Sequence, residues 1–150
     1  MSRLNSLTDE IKAAMRAKDS LKLEALRAIK SAVLLAKTAT AGDTDLTEED
    51  EIKLLQKLVK QRKDSAVIFK EQNRDDLATP EEAQAEVIAQ FLPEQLSQQE
   101  IEQIVDEIVA KAGAKGMKDM GKVMGMASKE MAGKADGKTI STIVKQKLNG

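Results

Sequence analysis

The side chains that could do chemistry in this sequence are carboxylates, lysines and hydroxyls, because it contains no histidine, cysteine, tyrosine or tryptophan. The commonest general base, the thiol nucleophile and the usual zinc ligands are therefore missing. Carboxylates and lysines become reactive only where burial or a neighbouring charge shifts their pKa. No glycine-rich phosphate loop of the P-loop type accompanies them. The sequence thus predicts no catalytic residue, no metal site and no cofactor.

The lysines collect in the C-terminal third of the chain. From Lys111 onward there are nine lysines and three acids, although the net charge of the whole chain is only −1. Such an asymmetry between parts of a chain is a hint of contact with nucleic acid. A solvated lysine face without any partner explains the charge equally well.

Glycines lie among these lysines. Gly121 and Gly125 fall inside a predicted helix, where each costs roughly 1 kcal/mol relative to alanine. They are four residues apart and therefore share one helix face, with Lys118 and Lys122 nearby. A face without side chains permits either tight packing of a neighbouring helix or the approach of a sugar-phosphate backbone contacted by lysines.

The elements that must position these residues all show helical periodicity, and no segment alternates as a strand does. The first predicted helix runs from about Ser6 to Lys18, with an apolar face of Leu7, Ile11, Ala14 and Met15. A break at Asp19–Ser20 precedes a second helix, whose apolar positions are Leu23, Leu26, Ile29 and Val33. The polar stretch from Thr38 to Asp45 is predicted to be a loop.

A long helix is predicted from Thr47, a capping residue followed by an acidic first turn. Its seam is apolar except at one arginine and consists of Ile52, Leu55, Val59, Arg62, Ala66 and Phe69. The seam favours packing inside the fold, with a coiled-coil dimer as the alternative. A fourth helix is predicted to start at Thr79–Pro80 and to stop at Leu92–Pro93.

The C-terminal part starts with a second helix signal. Ser97 at the N-cap and Glu100 three residues later form a capping box. We therefore expect an N-terminal helical subdomain of about four helices (residues 1–93) and a C-terminal three-helix bundle (residues 97–150). In the bundle the first helix ends at Ala112–Gly113, and Asp136 caps the third.

Composition is that of a soluble globular chain, with 33% charged and 41% hydrophobic residues. Two phenylalanines, Phe69 and Phe91, are too few to stack single-stranded bases. No apolar run is long enough to span a bilayer, so no membrane partner is expected. The N-terminus lacks a secretory h-region and the chain lacks cysteine, which together predict a cytosolic location.

Two pairs of segments resemble the GatB/YqeY family. KDMGKVMG (Lys118 to Gly125) and GKADGKTIS (Gly133 to Ser141) are similar to the signature of the tail domain. KLVKQRKDSAVIFKEQNRDDLA (Lys57 to Ala78) and EEAQAEVIAQFLPEQLS (Glu81 to Ser97) resemble the stand-alone YqeY-like proteins. The resemblance covers nearly the whole chain and implies an all-α fold with a three-helix tail.

What the resemblance implies about function concerns the tail. In the B subunit of tRNA-dependent amidotransferases this domain contacts the outer corner of tRNA, and stand-alone members carry the label of carbon-nitrogen ligase activity with glutamine as amido donor. The resemblance therefore implies a tRNA or structured-RNA surface at Lys118, Gly121, Lys122, Gly125, Lys134, Gly137 and Lys138. One alternative is a protein-protein adaptor or homo-oligomeric helical module without RNA, acting through the Ile52–Phe69 seam or the methionine-rich tail helix. Its protein partner would belong to translation or tRNA metabolism. A component of a glutamine-dependent amidotransferase is another alternative.

Overall fold

The computed structural model describes residues 4–39 and 46–149, and within these ranges the regular elements are all helices. The chain divides into two compact units, Met1–Leu92 (unit 1) and Pro93–Gly150 (unit 2). Unit 1 contains α1 Leu7–Ala17, α2 Ser20–Ala39, α3 Glu48–Glu71 and α4 Asp75–Ala89. Unit 2 contains α5 Gln98–Ala112, a 3₁₀ turn Met117–Asp119, α6 Met120–Glu130 and α7 Gly137–Asn149. The expected all-α fold is confirmed.

The break between α1 and α2 lies where the sequence predicts it. Lys18 adopts a left-handed conformation with φ 56°, which ends α1. The Asp19 carboxylate then accepts a hydrogen bond from the Lys22 N–H at 3.1 Å and so caps α2. α2 extends through Thr38 and Ala39, so the predicted loop starts later than expected, and its residues 40–45 lie outside the described ranges.

The core of unit 1 is mostly aliphatic and comes from all four helices, with Phe91 as its one buried aromatic residue among those described. Met15 was expected on the buried face of α1, but its side chain is 53% exposed because it lies at the edge of that face. Glu51 is buried although it belongs to an acidic run, since it lies one turn before Leu55 on the inward stripe of α3. The buried residues that pack together as one cluster are Leu7, Ala14, Ala25, Leu26, Ile29, Leu55, Val59, Ala85, Ile88, Phe91 and Leu92.

The α3 helix begins with the predicted cap and buries the predicted seam. The Asp50 N–H donates to Thr47 Oγ1 at 3.1 Å, and the Thr47 N–H donates to Asp50 Oδ2 at 3.2 Å. Leu55, Val59 and Ala66 of the seam are buried within unit 1. The other three seam residues, Ile52, Arg62 and Phe69, are half-buried, so the seam serves mainly packing inside unit 1.

The start of α4 differs from the prediction. The helix begins at Asp75, so Thr79 is not its cap and Pro80 lies in its interior. Asn73 takes a left-handed φ of 60° and the Arg74 N–H donates to the Phe69 carbonyl at 2.7 Å, which ends α3 and reverses the chain. The chain reversal therefore sets the start of α4, and the Thr79–Pro80 pattern does not. Because proline has no backbone N–H, α4 lacks one helical hydrogen bond at Pro80.

A polar link inside unit 1 explains the arginine in the seam. Arg62 Nε donates to Gln84 Oε1 of α4 at 3.0 Å, and Gln84 Nε2 donates to Glu24 Oε2 of α2 at 3.1 Å. Arg62 Nη1 also donates to the Leu58 carbonyl at 3.2 Å. Three helices are thus joined by side-chain hydrogen bonds around a half-buried guanidinium.

Unit 2 is a three-helix bundle in which each helix contacts the other two. The predicted capping box holds the start of α5, since the Glu100 N–H donates to Ser97 Oγ at 3.2 Å and the Ser97 N–H donates to Glu100 Oε1 at 3.0 Å. Gly113 ends α5 with a left-handed φ of 65°. The buried residues are Ile101, Val105, Ile108, Val123, Ala127, Met131, Ala135, Ile140, Ile143, Val144 and Leu148. No helix of the described residues is long and apolar enough to cross a membrane.

Candidate nucleic-acid interface

The seven residues assigned to the RNA surface all lie in unit 2, between the 3₁₀ turn and the first turn of α7. Lys118 is in the 3₁₀ turn, and Gly121, Lys122 and Gly125 are in α6. Lys134 is in the turn between α6 and α7, and the first two residues of α7 complete the set, Gly137 and Lys138. Each of the seven is exposed. We call them the glycine-lysine surface.

The glycines of this surface are not needed for packing within the described part of the chain. A Cβ placed on Gly121, Gly125 or Gly137 meets no heavy atom within 4 Å. The tight helix packing that the sequence also allowed is therefore not the reason for Gly121 and Gly125. Two glycines in an exposed helix face weaken α6 and gain no contact within the described residues in return.

The face of α6 opposite to the glycine-lysine surface packs into the core of unit 2. Val123 and Ala127 are fully buried, and Met131 is 1% exposed. Residues two positions apart on a helix differ by about 200° in direction, so burying Val123 and Ala127 turns Gly121 and Gly125 outward. The methionines Met120, Met124 and Met126 pack against this core as well. The methionine-rich helix is therefore part of the unit's own core.

The turn carrying Lys134 is held by hydrogen bonds that the sequence did not reveal. Gly133 has a left-handed φ of 78°, and its carbonyl accepts from Gln95 Nε2 at 2.8 Å. The Leu96 N–H donates to the Lys134 carbonyl at 2.9 Å. The glycine after α6 is a usual signal of a helix end, but no local pattern marks Gln95 as its partner.

The entries into α6 and α7 are stabilised by aspartates. Asp119 Oδ2 accepts from the Lys115 N–H at 2.9 Å and closes the 3₁₀ turn that leads into α6. Asp136 directly precedes α7, where the sequence predicts its cap, and its carbonyl accepts from the Ile140 N–H at 3.0 Å. Its carboxylate accepts from the Thr139 hydroxyl at 3.5 Å. Both turns therefore hold their lysines on ordered backbone.

The charge of the surface is not neutralised inside the described residues. No carboxylate there lies within 4 Å of the ammonium group of Lys118, Lys122, Lys134 or Lys138. Lys147 differs, because its Nζ lies 3.2 Å from Asp106 Oδ1 on α5. Four of the eight acidic residues of unit 2 lie on that helix, at Glu100, Glu102, Asp106 and Glu107. Lysines still outnumber acids from Lys118 to Lys138, by five to three, because this stretch also contains Asp119, Glu130 and Asp136.

The pKa shifts in the chain belong to surface pairs and a helix cap. The hydrogen bond and charge of Asp76 raise the pKa of Arg74, and the same hydrogen bond lowers the pKa of Asp76. The Ser97 N–H and hydroxyl lower the pKa of Glu100. Each shift stabilises the charged form that the group already has at neutral pH. Among the described residues no cluster of three or more carboxylates could hold a metal ion.

Fold and surface together define an all-helical protein whose C-terminal three-helix unit presents a basic, glycine-containing face. The family model described as "Yqey-like protein" matches residues 4–148, and the chain belongs to this family.

Curated relatives share part of the chain. The protein "Altered inheritance of mitochondria protein 41, mitochondrial" of Clavispora lusitaniae is 38% identical over 89 residues, which are 59% of this chain and 51% of the relative. Proteins of the same name from Lachancea thermotolerans and Saccharomyces cerevisiae strain YJM789 are 38% identical over 87 residues and 33% identical over 88 residues. These matches cover 58% and 59% of this chain and 46% and 47% of the relatives. The chain thus spans about half the length of the curated relatives it matches.

These names correct the expected cytosolic location. The relatives are named as mitochondrial proteins, so the expectation of a cytosolic protein is wrong. The reason is that neither observation behind it distinguishes compartments. A chain without cysteine is compatible with any redox environment, and lack of a secretory h-region bears only on secretion.

Proposed function

We propose that the chain is an RNA-binding accessory protein that holds tRNA or another structured RNA on the glycine-lysine surface of unit 2. The observation that carries the proposal is the exposed α6 face, on which Gly121 and Gly125 make no internal contact and Lys118 and Lys122 have no carboxylate partner among the described residues. The resemblance of these segments to the amidotransferase tail domain supports tRNA as the RNA class.

The chemistry of the surface suits a phosphate backbone. Lysine ammonium groups contact phosphates as point charges, which gives salt-dependent affinity. A helix face without side chains lets the sugar-phosphate chain approach the protein backbone closely. Aromatic stacking platforms are missing, since the only aromatic residues are Phe69 and Phe91. Recognition by RNA shape with little base specificity is the expected mode.

The two alternatives have less support. The adaptor hypothesis needs the Ile52–Phe69 seam or the methionine-rich helix as a free apolar surface. Leu55, Val59 and Ala66 of the seam and Met131 of the tail are buried in the cores of their own units. The amidotransferase hypothesis has no motif to support it, because this chain has neither a cysteine nucleophile nor a phosphate loop of the P-loop type.

The test is binding of tRNA to filters at two or more salt concentrations. The variant replaces Lys118, Lys122, Lys134 and Lys138 with glutamine. Four lost phosphate contacts should reduce the slope of log affinity against log salt by about 3. The matched control removes the same charge from α3 of unit 1, where Lys53, Lys57, Lys60 and Lys63 are all exposed.

The control separates a specific surface from total charge. We expect the α3 control to keep the wild-type slope to within about 1, because only contacted lysines release counterions. Equal losses in both variants would mean that RNA responds to net charge alone and would contradict the proposal. Absence of tRNA binding by the unmodified chain at low salt would contradict it directly.

A further inference from the structure

A second surface without an internal role lies on α2 of unit 1. Leu34 and Leu35 are adjacent and are 55% and 70% exposed, and Leu35 is the most exposed large hydrophobic residue of the described chain. Leu34 lies at the rim of an open cleft between α1, α2 and the start of α3, whereas Leu35 does not line that cleft. The two side chains diverge by about 100° around the helix, so together they form a convex face rather than a groove.

The charges that α2 itself places around these leucines have one sign, although Glu48 and Glu51 of α3 line the same cleft as Leu34. From Ala25 to Ala39 the helix contains Arg27, Lys30 and Lys37 and no carboxylate. No described carboxylate lies within 4 Å of the charged groups of Arg27 and Lys30. The single acid of α2, Glu24, is directed toward α4, where it accepts a hydrogen bond from Gln84. The exposed face of α2 between Arg27 and Thr38, here the α2 face, is therefore both apolar and cationic.

A second pair of exposed apolar residues, on α3, is not surrounded by cations alone. Val67 and Ile68 of α3 are 54% and 52% exposed, so they present apolar surface to a similar extent. Their neighbours on the outer face of α3 include Asp64, which pairs with Lys60 at 2.9 Å, and Glu71. The α3 pair therefore lies among charges of both signs and serves as an internal control.

We propose that the α2 face binds peripherally to an anionic lipid bilayer, with Leu34 and Leu35 entering the interfacial region and Arg27 and Lys30 contacting lipid phosphates. A lipid interface accepts a convex helix face, and it rewards apolar and cationic side chains together. An RNA backbone would satisfy the cations but not the leucines. A second copy docked on the same face would bring like charges together.

The experiment is co-sedimentation of the full chain with vesicles. We expect binding to mixed phosphatidylcholine and phosphatidylglycerol vesicles and little binding to pure phosphatidylcholine. Leu34→Ser/Leu35→Ser should lower the partition coefficient by about tenfold or more. Arg27→Gln/Lys30→Gln should lower it roughly fivefold for each charge removed. Leu35→Ser alone should also weaken vesicle binding. Because Leu35 does not line the cleft, this loss would show that the outer face of α2 contacts the bilayer.

Two controls make the result specific. Val67→Ser/Ile68→Ser removes similar exposed apolar surface from α3 and should leave vesicle binding unchanged. Replacing Lys118, Lys122, Lys134 and Lys138 with glutamine should lower vesicle binding less than Arg27→Gln/Lys30→Gln does, because only the α2 face is proposed to contact the bilayer. Equal losses from the α2 and α3 apolar variants, or a loss only with the four-lysine variant, would overturn the proposal.

Light scattering and tRNA binding test the two other possible occupants of the α2 face, which are a second copy of the chain and an RNA. We expect Leu34→Ser/Leu35→Ser to leave the oligomeric state and tRNA affinity as in the unmodified chain. A dimer that becomes monomeric in this variant while vesicle binding persists would identify the α2 face as a self-association surface. Loss of tRNA retention in Arg27→Gln/Lys30→Gln without loss of vesicle binding would make it an RNA surface. Either result would overturn the lipid proposal.

Discussion

Replacing Gly121 and Gly125 with alanine tests the central argument about α6, because stability and RNA binding should change in opposite directions. Both positions are helical, exposed and open, so the added methyl groups meet no atom within 4 Å. Each substitution should stabilise the helix by about 0.5–1 kcal/mol, and the pair by about 1–2 kcal/mol. For a unit of this size the expected rise in Tm is roughly 5–10 °C.

The assay combines thermal unfolding, followed by circular dichroism, with tRNA binding at low salt. If a sugar-phosphate backbone lies against the bare helix face, two methyl groups move it away and weaken its contacts with Lys118 and Lys122. We expect a Tm above that of the unmodified chain together with at least about tenfold weaker binding, equivalent to about 1.4 kcal/mol. If the variant is more stable and still binds tRNA more weakly, the loss of affinity cannot be due to unfolding.

Gly113→Ala provides the matched control in the same unit. Its Cβ would also meet no atom within 4 Å, but its φ of 65° is left-handed. Strain alone should therefore cost about 1 kcal/mol and lower Tm, while tRNA affinity of the folded protein stays unchanged. Unchanged tRNA binding by the Gly121→Ala/Gly125→Ala variant would refute the close-approach reasoning. Failure of that variant to gain stability would refute the claim that α6 carries unused space.

The other predictions concern stability. Ser97→Ala removes the side chain that accepts the Glu100 N–H and should cost about 1 kcal/mol in urea unfolding; an unchanged midpoint would contradict that role. Glu100 has a lowered pKa when folded, so its contribution is present above its unfolded pKa and is lost as pH falls through the folded pKa. In Glu100→Gln the free energy of unfolding should fall less steeply below about pH 4.5 than in the unmodified chain. The same dependence on pH in both proteins would argue against this role of Glu100. Gln84→Leu breaks the hydrogen bonds with Arg62 and Glu24 and should cost about 1–2 kcal/mol; full stability would mean that water replaces the link.

Local signals in the sequence predicted the helix ends well where side chains act on nearby backbone. Thr47 with Asp50 and Ser97 with Glu100 form capping boxes, and Gly113 ends α5 in the left-handed conformation. These interactions span only a few residues, so their partners are readable from spacing alone.

Sequence signals failed at the start of α4 and at two positions on the faces of α1 and α3. Thr79–Pro80 has the pattern of a helix start, yet α4 begins at Asp75 because the α3–α4 reversal at Asn73 sets its register. Met15 has helical spacing with Leu7 but is exposed, since no helix covers its edge of α1. Glu51 is buried inside an acidic run. For Met15 and Glu51 the neighbours across the fold decide the burial, and these neighbours cannot be read from a local window of the sequence.

The sequence by itself determined the all-α fold, the missing catalytic residue types and the concentration of lysine and glycine in the C-terminal third. These properties depend on periodicity and composition, which need no coordinates. Only the tertiary structure decided which way the glycines and the seam residues face. It buried Leu55 and Val59 inside unit 1, and it turned Gly121 and Gly125 outward by burying Val123 and Ala127. A surface helix buries one face in the core, and the helices packed against it determine which face that is.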